Sequence, residues 1–149
     1  KYFEFSIKNG QKEGLETYWH ESGKKWWETH YKNGEKEGLV TNWTRSGDKK
    51  TEVQFKNGKK DGFYKEWQWQ KYVRKNGKKT EVNQYIKTFE TYYKNGKKEG
   101  VEKYWYKSGR KKFLKHYKNG LENGVRKEWD EDGTLTFEGN YIDGGEEIK

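Results

Sequence analysis

The stretch Tyr31-Lys32-Asn33-Gly34-Glu35-Lys36-Glu37-Gly38-Leu39-Val40-Thr41-Asn42-Trp43 decides the fold. An Asn-Gly pair behind an aromatic residue supplies positive φ cheaply and reads as a tight hairpin turn. Its three marks recur in phase along the chain. Lys-Asn-Gly ends at Gly10, Gly34, Gly58, Gly96 and Gly120, with Asp143-Gly144 as a degenerate copy. A second glycine follows at Gly14, Gly38, Gly62, Gly100 and Gly124, and then a tryptophan at Trp19, Trp43, Trp67, Trp105 and Trp129. Ser-Gly or Asp-Gly turns come next at Gly23, Gly47, Gly109 and Gly133, and Lys-Asn-Gly at Gly77 takes that place in the third copy. Several columns at one fixed period mark a repeat array.

Each copy reads as strand, turn, strand, because aromatic residues favour pleated surfaces and glycines interrupt any helical stripe. The expected architecture is all-β: an elongated, single-layer antiparallel meander of tandem β-hairpins in one domain, 1–149. A partial unit covers 1–14, and full units follow at about 15–38, 39–62, 63–100, 101–124 and 125–149. The unit 63–100 carries a 14-residue insertion, and its Trp67-Gln68-Trp69-Gln70-Lys71-Tyr72 segment alternates as a strand does. An odd-numbered loop around Gly23 would place Leu15, Trp19, Trp27 and Tyr31 on one apolar face, leaving the other charged, whereas an even loop would split them. The five recurring tryptophans then form a packed structural stripe, each on the next.

Composition narrows the function. Hydrophobic residues are only 28% of the chain, but 8 Trp, 12 Tyr and 7 Phe supply most of them. A chain this polar would default to disorder if its apolar residues were not large aromatics. With no Cys there is no disulfide framework, thiolate metal site or cysteine nucleophile. His20, His30 and His116 sit in repeat columns, Ser22, Ser46 and Ser108 sit in turns, and Asp130-Glu131-Asp132 lacks calcium-loop spacing. No catalytic residue, metal site or cofactor is expected. No run approaches the ~18 apolar residues of a membrane span. The chain reads as soluble, with the compartment open between a bacterial cytoplasm and export after loss of a leader.

Phe137-Glu138-Gly139-Asn140-Tyr141-Ile142-Asp143-Gly144 resembles the MORN repeat, whose pattern runs aromatic-Glu-Gly-x-aromatic-x-Asn/Asp-Gly. Trp27-Glu28-Thr29-His30-Tyr31-Lys32-Asn33-Gly34 and Phe89-Glu90-Thr91-Tyr92-Tyr93-Lys94-Asn95-Gly96 match it with Thr in place of the first glycine. That change, the tryptophan column and the 24-residue step resemble the bacterial MORN variant found in the YwqK antitoxin-like family. The resemblance implies a twisted hairpin array used for protein contacts or for association with acidic lipids.

Two sets of binding candidates follow. Aromatic residues that depart from the repeat, Trp26, Tyr64, Trp69, Tyr72 and Tyr106, are better site candidates than the recurring tryptophans. A lysine column, Lys8, Lys32, Lys56, Lys94 and Lys118, joined by Lys12, Lys36, Lys60 and Lys98, would form an electropositive ridge on a chain of formal charge +9. Glu13, Glu37, Asp61 and Glu99 would partly neutralise it. The expected function is a non-catalytic scaffold binding another protein, antitoxin- or immunity-like. The alternative is electrostatic attachment to anionic lipid or another polyanion, with nucleic acid the weaker case. The last hairpin is acidic while the first bears Lys1, Lys8 and Lys12, so head-to-tail self-association through open strand edges is a further expectation.

Overall fold

The computed structural model describes residues 3–75 and 78–147, and for residues 73–75 the backbone alone. The turn expected at Gly77 lies outside these residues, as do Lys1 and Lys149. The described chain holds strands and turns and no helix. In order, these are β1 (Phe3–Glu4), β2 (Ile7–Lys8), β3 (Gln11–Lys12), β4 (Gly14–Trp19), β5 (Lys25–Lys32), β6 (Glu35–Lys36), β7 (Gly38–Trp43), β8 (Lys49–Lys56) and β9 (Lys59–Lys75). There follow β10 (Lys78–Lys94), β11 (Lys97–Lys98), β12 (Gly100–Trp105), β13 (Lys111–Lys118), β14 (Leu121–Glu122), β15 (Gly124–Trp129), β16 (Leu135–Ile142) and β17 (Gly145–Glu146). One antiparallel sheet runs β1-β4-β5-β7-β8-β9-β10-β12-β13-β15-β16-β17 without a crossover and does not close. β6, β11 and β14 pair back onto β5, β10 and β13, while β2 and β3 form a separate pair.

The Asn-Gly turns take the conformation their residues favour. Asn33 and Gly34 both have positive φ, 50° and 79°, as a type I′ turn requires. From Asn33-Gly34 onward, each turn also rests on the unit before it. The N–H of Gly34 donates to the Lys12 carbonyl at 2.9 Å, and that of Gly58 to the Lys36 carbonyl at 3.0 Å. Beside them the Glu13 carboxylate accepts the N–H of Asn33 at 2.8 Å, and Glu37 accepts that of Asn57 at 2.8 Å. Asp61 serves Asn95 and Glu99 serves Asn119 in the same way. The acidic column is therefore a set of caps that join consecutive units. Glu37→Ala should cost about 1 kcal/mol, read as a lower urea midpoint. An unchanged midpoint would mean that water replaces the cap at no cost.

The facial arrangement differs from the expected one. Tyr18 pairs with Trp27 and Glu16 with Thr29, but Trp19 pairs with Lys25. A bulge leaves Trp26 without an opposite residue, and it recurs before Trp43, Trp67, Trp105 and Trp129. The strands thus meet in even-loop register, and Trp19 and Trp27 lie on opposite faces. One continuous row crosses the sheet as Phe3, Tyr18, Trp27, Asn42, Thr51, Glu66, Phe89, Tyr104, Phe113, Glu128 and Phe137. We call its side the aromatic face. Its rings touch at both flanks: Tyr18 and Trp27 stack at 5.6 Å, and Phe89, Tyr104 and Phe113 follow at 4.6 and 4.5 Å. At the interruption, Asn42 donates to the Thr51 hydroxyl at 2.8 Å.

In and beside this row the core is thin. Among the described residues its buried apolar members are Val40, Val53 and Phe89, while Thr29, Thr91, Glu16 and Glu102 are equally enclosed. Glu16 and Glu102 are held by Lys12 and Lys98, four residues upstream. The last unit reverses the pair: Glu122 lies upstream of Arg126, at 3.8 Å. Opposite charges meet either way, so the exchange preserves the pair.

Candidate functional site

The second face is charged, and the repeated tryptophans stand on it. Its central row reads Glu4, Thr17, Glu28, Thr41, Glu52, Lys65, Glu90, Lys103, Leu114, Lys127 and Glu138. Trp19, Trp43, Trp67, Trp105 and Trp129 are all half-buried, short of the packed stripe their recurrence suggests. A lysine from the preceding hairpin covers four of them: Lys25 over Trp43, Lys49 over Trp67, Lys87 over Trp105 and Lys111 over Trp129, at 5.0–5.7 Å. Lys25, Lys49 and Lys87 also pair with Glu28, Glu52 and Glu90. Cation–π contact and ion pairing thus replace indole-on-indole packing, because successive tryptophans lie two strands apart.

Glu90 is the most heavily paired carboxylate of this row. The Lys87 hydrogen bond holds it below the usual carboxylate range against an opposing push from burial, with Lys103 and Lys65 adding to the downward pull. A carboxyl depressed on folding contributes its full stability above its unfolded-state pKa. That contribution drains as pH falls through the folded-state value. Glu90→Gln should cost about 0.5–1 kcal/mol at pH 7. The gap to the parent should shrink below about pH 4 in urea titrations. A gap independent of pH would assign the loss to packing instead.

Of the expected aromatic site residues, the structure brings two together. Trp26, the residue at the bulge, is 53% exposed, and Trp69, in the long third hairpin, is 46% exposed. Both line a groove of about 790 Å³ with Trp43, Trp67, Tyr85, His20, Lys50 and Lys107. Tyr64, Tyr72 and Tyr106 lie elsewhere. Tyr64 sits on the aromatic face, edge-on to Phe89 at 5.5 Å, and donates to Glu66. Burial first, and then Glu66, push its phenol far above its ordinary value. Tyr72 lies under Lys79 at 4.0 Å, and Tyr106 donates to the Trp129 carbonyl at 2.9 Å. Sequence reasoning missed Tyr85, which meets Trp69 at 5.3 Å across the long hairpin. The alternation of the segment 67–72 was its available signal.

The lysines divide into two sets. Lys8, Lys32, Lys56, Lys94 and Lys118 are all exposed, each one residue before a turn. Lys12, Lys36, Lys60 and Lys98 leave the expected ridge and fold over the aromatic face. Lys36 lies 5.1 Å from Trp27 and 5.2 Å from Phe55, and Lys60 lies 4.8 Å from Tyr64 and 4.9 Å from Tyr93. Their stems cover apolar surface that a single-layer sheet cannot bury against a second layer.

This turn, bulge and cap pattern has a counterpart among known repeats. The family model of the MORN repeat variant matches residues 12–33, 98–119 and 122–143. These segments are MORN-type repeats. Each MORN match ends on the first residue of a turn, Asn33, Asn119 or Asp143, and the first two also hold the carboxylate that accepts that residue's N–H, Glu13 or Glu99. Curated proteins show no match to the chain.

Proposed function

We propose that the chain is a non-catalytic scaffold that binds another protein, in the manner of an antitoxin or immunity component. MORN repeats are generally binding modules, and three segments here match them. The observation that carries the reading is the groove, which Trp26 and Trp69, distant in sequence, both line with much of their surface open. Large exposed aromatic residues beside a groove are what a protein interface anchors on. The test is co-purification of a partner with the tagged chain, washed at high salt. A complex that survives the wash supports the reading, and complete loss at high salt counts against it.

A second reading rests on the row of exposed lysines, Lys8, Lys32, Lys56, Lys94 and Lys118. Such a row could attach the array to anionic lipid or another polyanion. Sedimentation with phosphatidylglycerol vesicles should then collapse between low and high salt, and neutral vesicles should not bind. Absence of binding at low salt would remove this reading.

A further inference from the structure

We infer that the long third hairpin takes an acidic, extended polypeptide segment as an added strand along the free edge of β9. The inference rests on the protein-binding reading and names the chemistry of the partner. β8 pairs with β9 only between Lys59 and Glu66, whereas β10 accompanies β9 as far as Lys75. Along Trp67–Tyr72, β9 therefore has a neighbouring strand on one side alone among the described residues. Of the backbone groups there, the Tyr72 carbonyl already accepts from the Gln70 side chain. An unpaired edge of this kind is a template for one more strand.

The surroundings of that edge define what would fit. The aromatic groove lies beside it, with Trp67, Gln68 and Trp69 contributed by the edge strand and Trp43, Lys50 and Thr51 by the hairpin that stops short. Its lining includes Lys50 and Lys107 and no carboxylate. The described part of the arm adds Lys71, Lys78 and Lys79 against Glu81, while its Lys87 is already paired with Glu90. Cations without counter-charges call for an acidic ligand, and indoles call for apolar or aromatic side chains between its charges. A single-stranded nucleic acid could stack on the indoles and meet the lysines. It has no alternating N–H and C=O to complete the strand edge, which a peptide backbone has. Six residues of edge span about 20 Å, so a segment of about six or seven residues matches it.

The experiment uses the full chain and a fluorescent, end-blocked peptide of about seven residues alternating glutamate with valine and tyrosine, read by anisotropy. Binding is expected to weaken about tenfold with Trp69→Ala and with Trp26→Ala, each compared at a temperature where its melting curve shows the variant folded. A peptide with lysine for glutamate should not bind. Two N-methylated peptides report on the ladder: methylation of one alternate set of amides should abolish binding, and of the other set should be tolerated. Equal weakening by both sets, unchanged affinity in both tryptophan variants, or tighter binding of oligothymidylate than of the peptide would overturn the inference. Should a co-purified protein remain bound equally well to the Trp26→Ala/Trp69→Ala double variant, the scaffold reading stands and this site falls. Should the peptide bind as described while no protein survives the high-salt wash, the edge site stands and the salt-resistant interface falls.

Discussion

Phe89→Ala is expected to lose about 3–4 kcal/mol, a large part of the roughly 5–15 kcal/mol that holds a small domain together. Phe89 is 6% exposed and stands in the middle of the transverse row, with Tyr64 edge-on at 5.5 Å and Tyr104 at 4.6 Å. A single layer has no second sheet to collapse into the space, so the cavity remains. The position matters as much as the volume. β10 is the strand that joins the units before the long hairpin to those after it, and a repeat array is coupled through such neighbours. The denaturation curve of Phe89→Ala should therefore broaden as well as shift, while Phe89→Leu should cost less than about 1.5 kcal/mol. A loss under about 1 kcal/mol for the alanine variant would show that the row adds little beyond its backbone pairing.

The second large effect is at Gly62, where Gly62→Ala should cost about 3 kcal/mol. Two separable causes act there. The residue has φ +116°, which L side chains rarely adopt, and an added Cβ would lie 2.6 Å from the Gln54 Oε1 and 2.9 Å from its Cβ. Gly38, one unit earlier in the same column, has φ +80° and open space around it. Gly38→Ala therefore carries only the backbone part, about 1–2 kcal/mol. Adding Gln54→Ala to Gly62→Ala should relieve part of the collision and leave the backbone cost. Equal losses at Gly38 and Gly62, measured in urea, would mean that Gln54 moves aside freely.

The period, the turns and the long hairpin were legible because each rests on a local rule. Asn33-Gly34 favours a type I′ turn locally, and the alternation of Trp67 to Tyr72 favours a strand. What parity could not reveal was the bulge opposite Trp19. One unpaired residue, Trp26, moves every later side chain to the other face, and neither it nor its counterparts Lys50, Thr88, Lys112 and Thr136 share a chemistry that announces the bulge. The acidic caps were illegible for another reason. Glu37 and Asn57 are 20 residues apart, and nothing local shows that a carboxylate beside a lysine faces a turn in the next unit. The groove had the same obstacle: Trp26 and Trp69 share it only because the third hairpin outgrows its neighbours.

The capped turns also restrict how the gene for such an array can change. In most units an acidic residue receives the amide of the following Asn, but the last junction differs: Asn123 stands where the acid belongs and donates to the Asp143 carboxylate at 3.2 Å. Unequal recombination that joined a unit ending in Glu99 to the turn of Asp143 would set two carboxylates against each other. The units are thus alike in backbone but not exchangeable in order. Duplication can lengthen the middle of the array freely, whereas the final pair of units can be inherited only together.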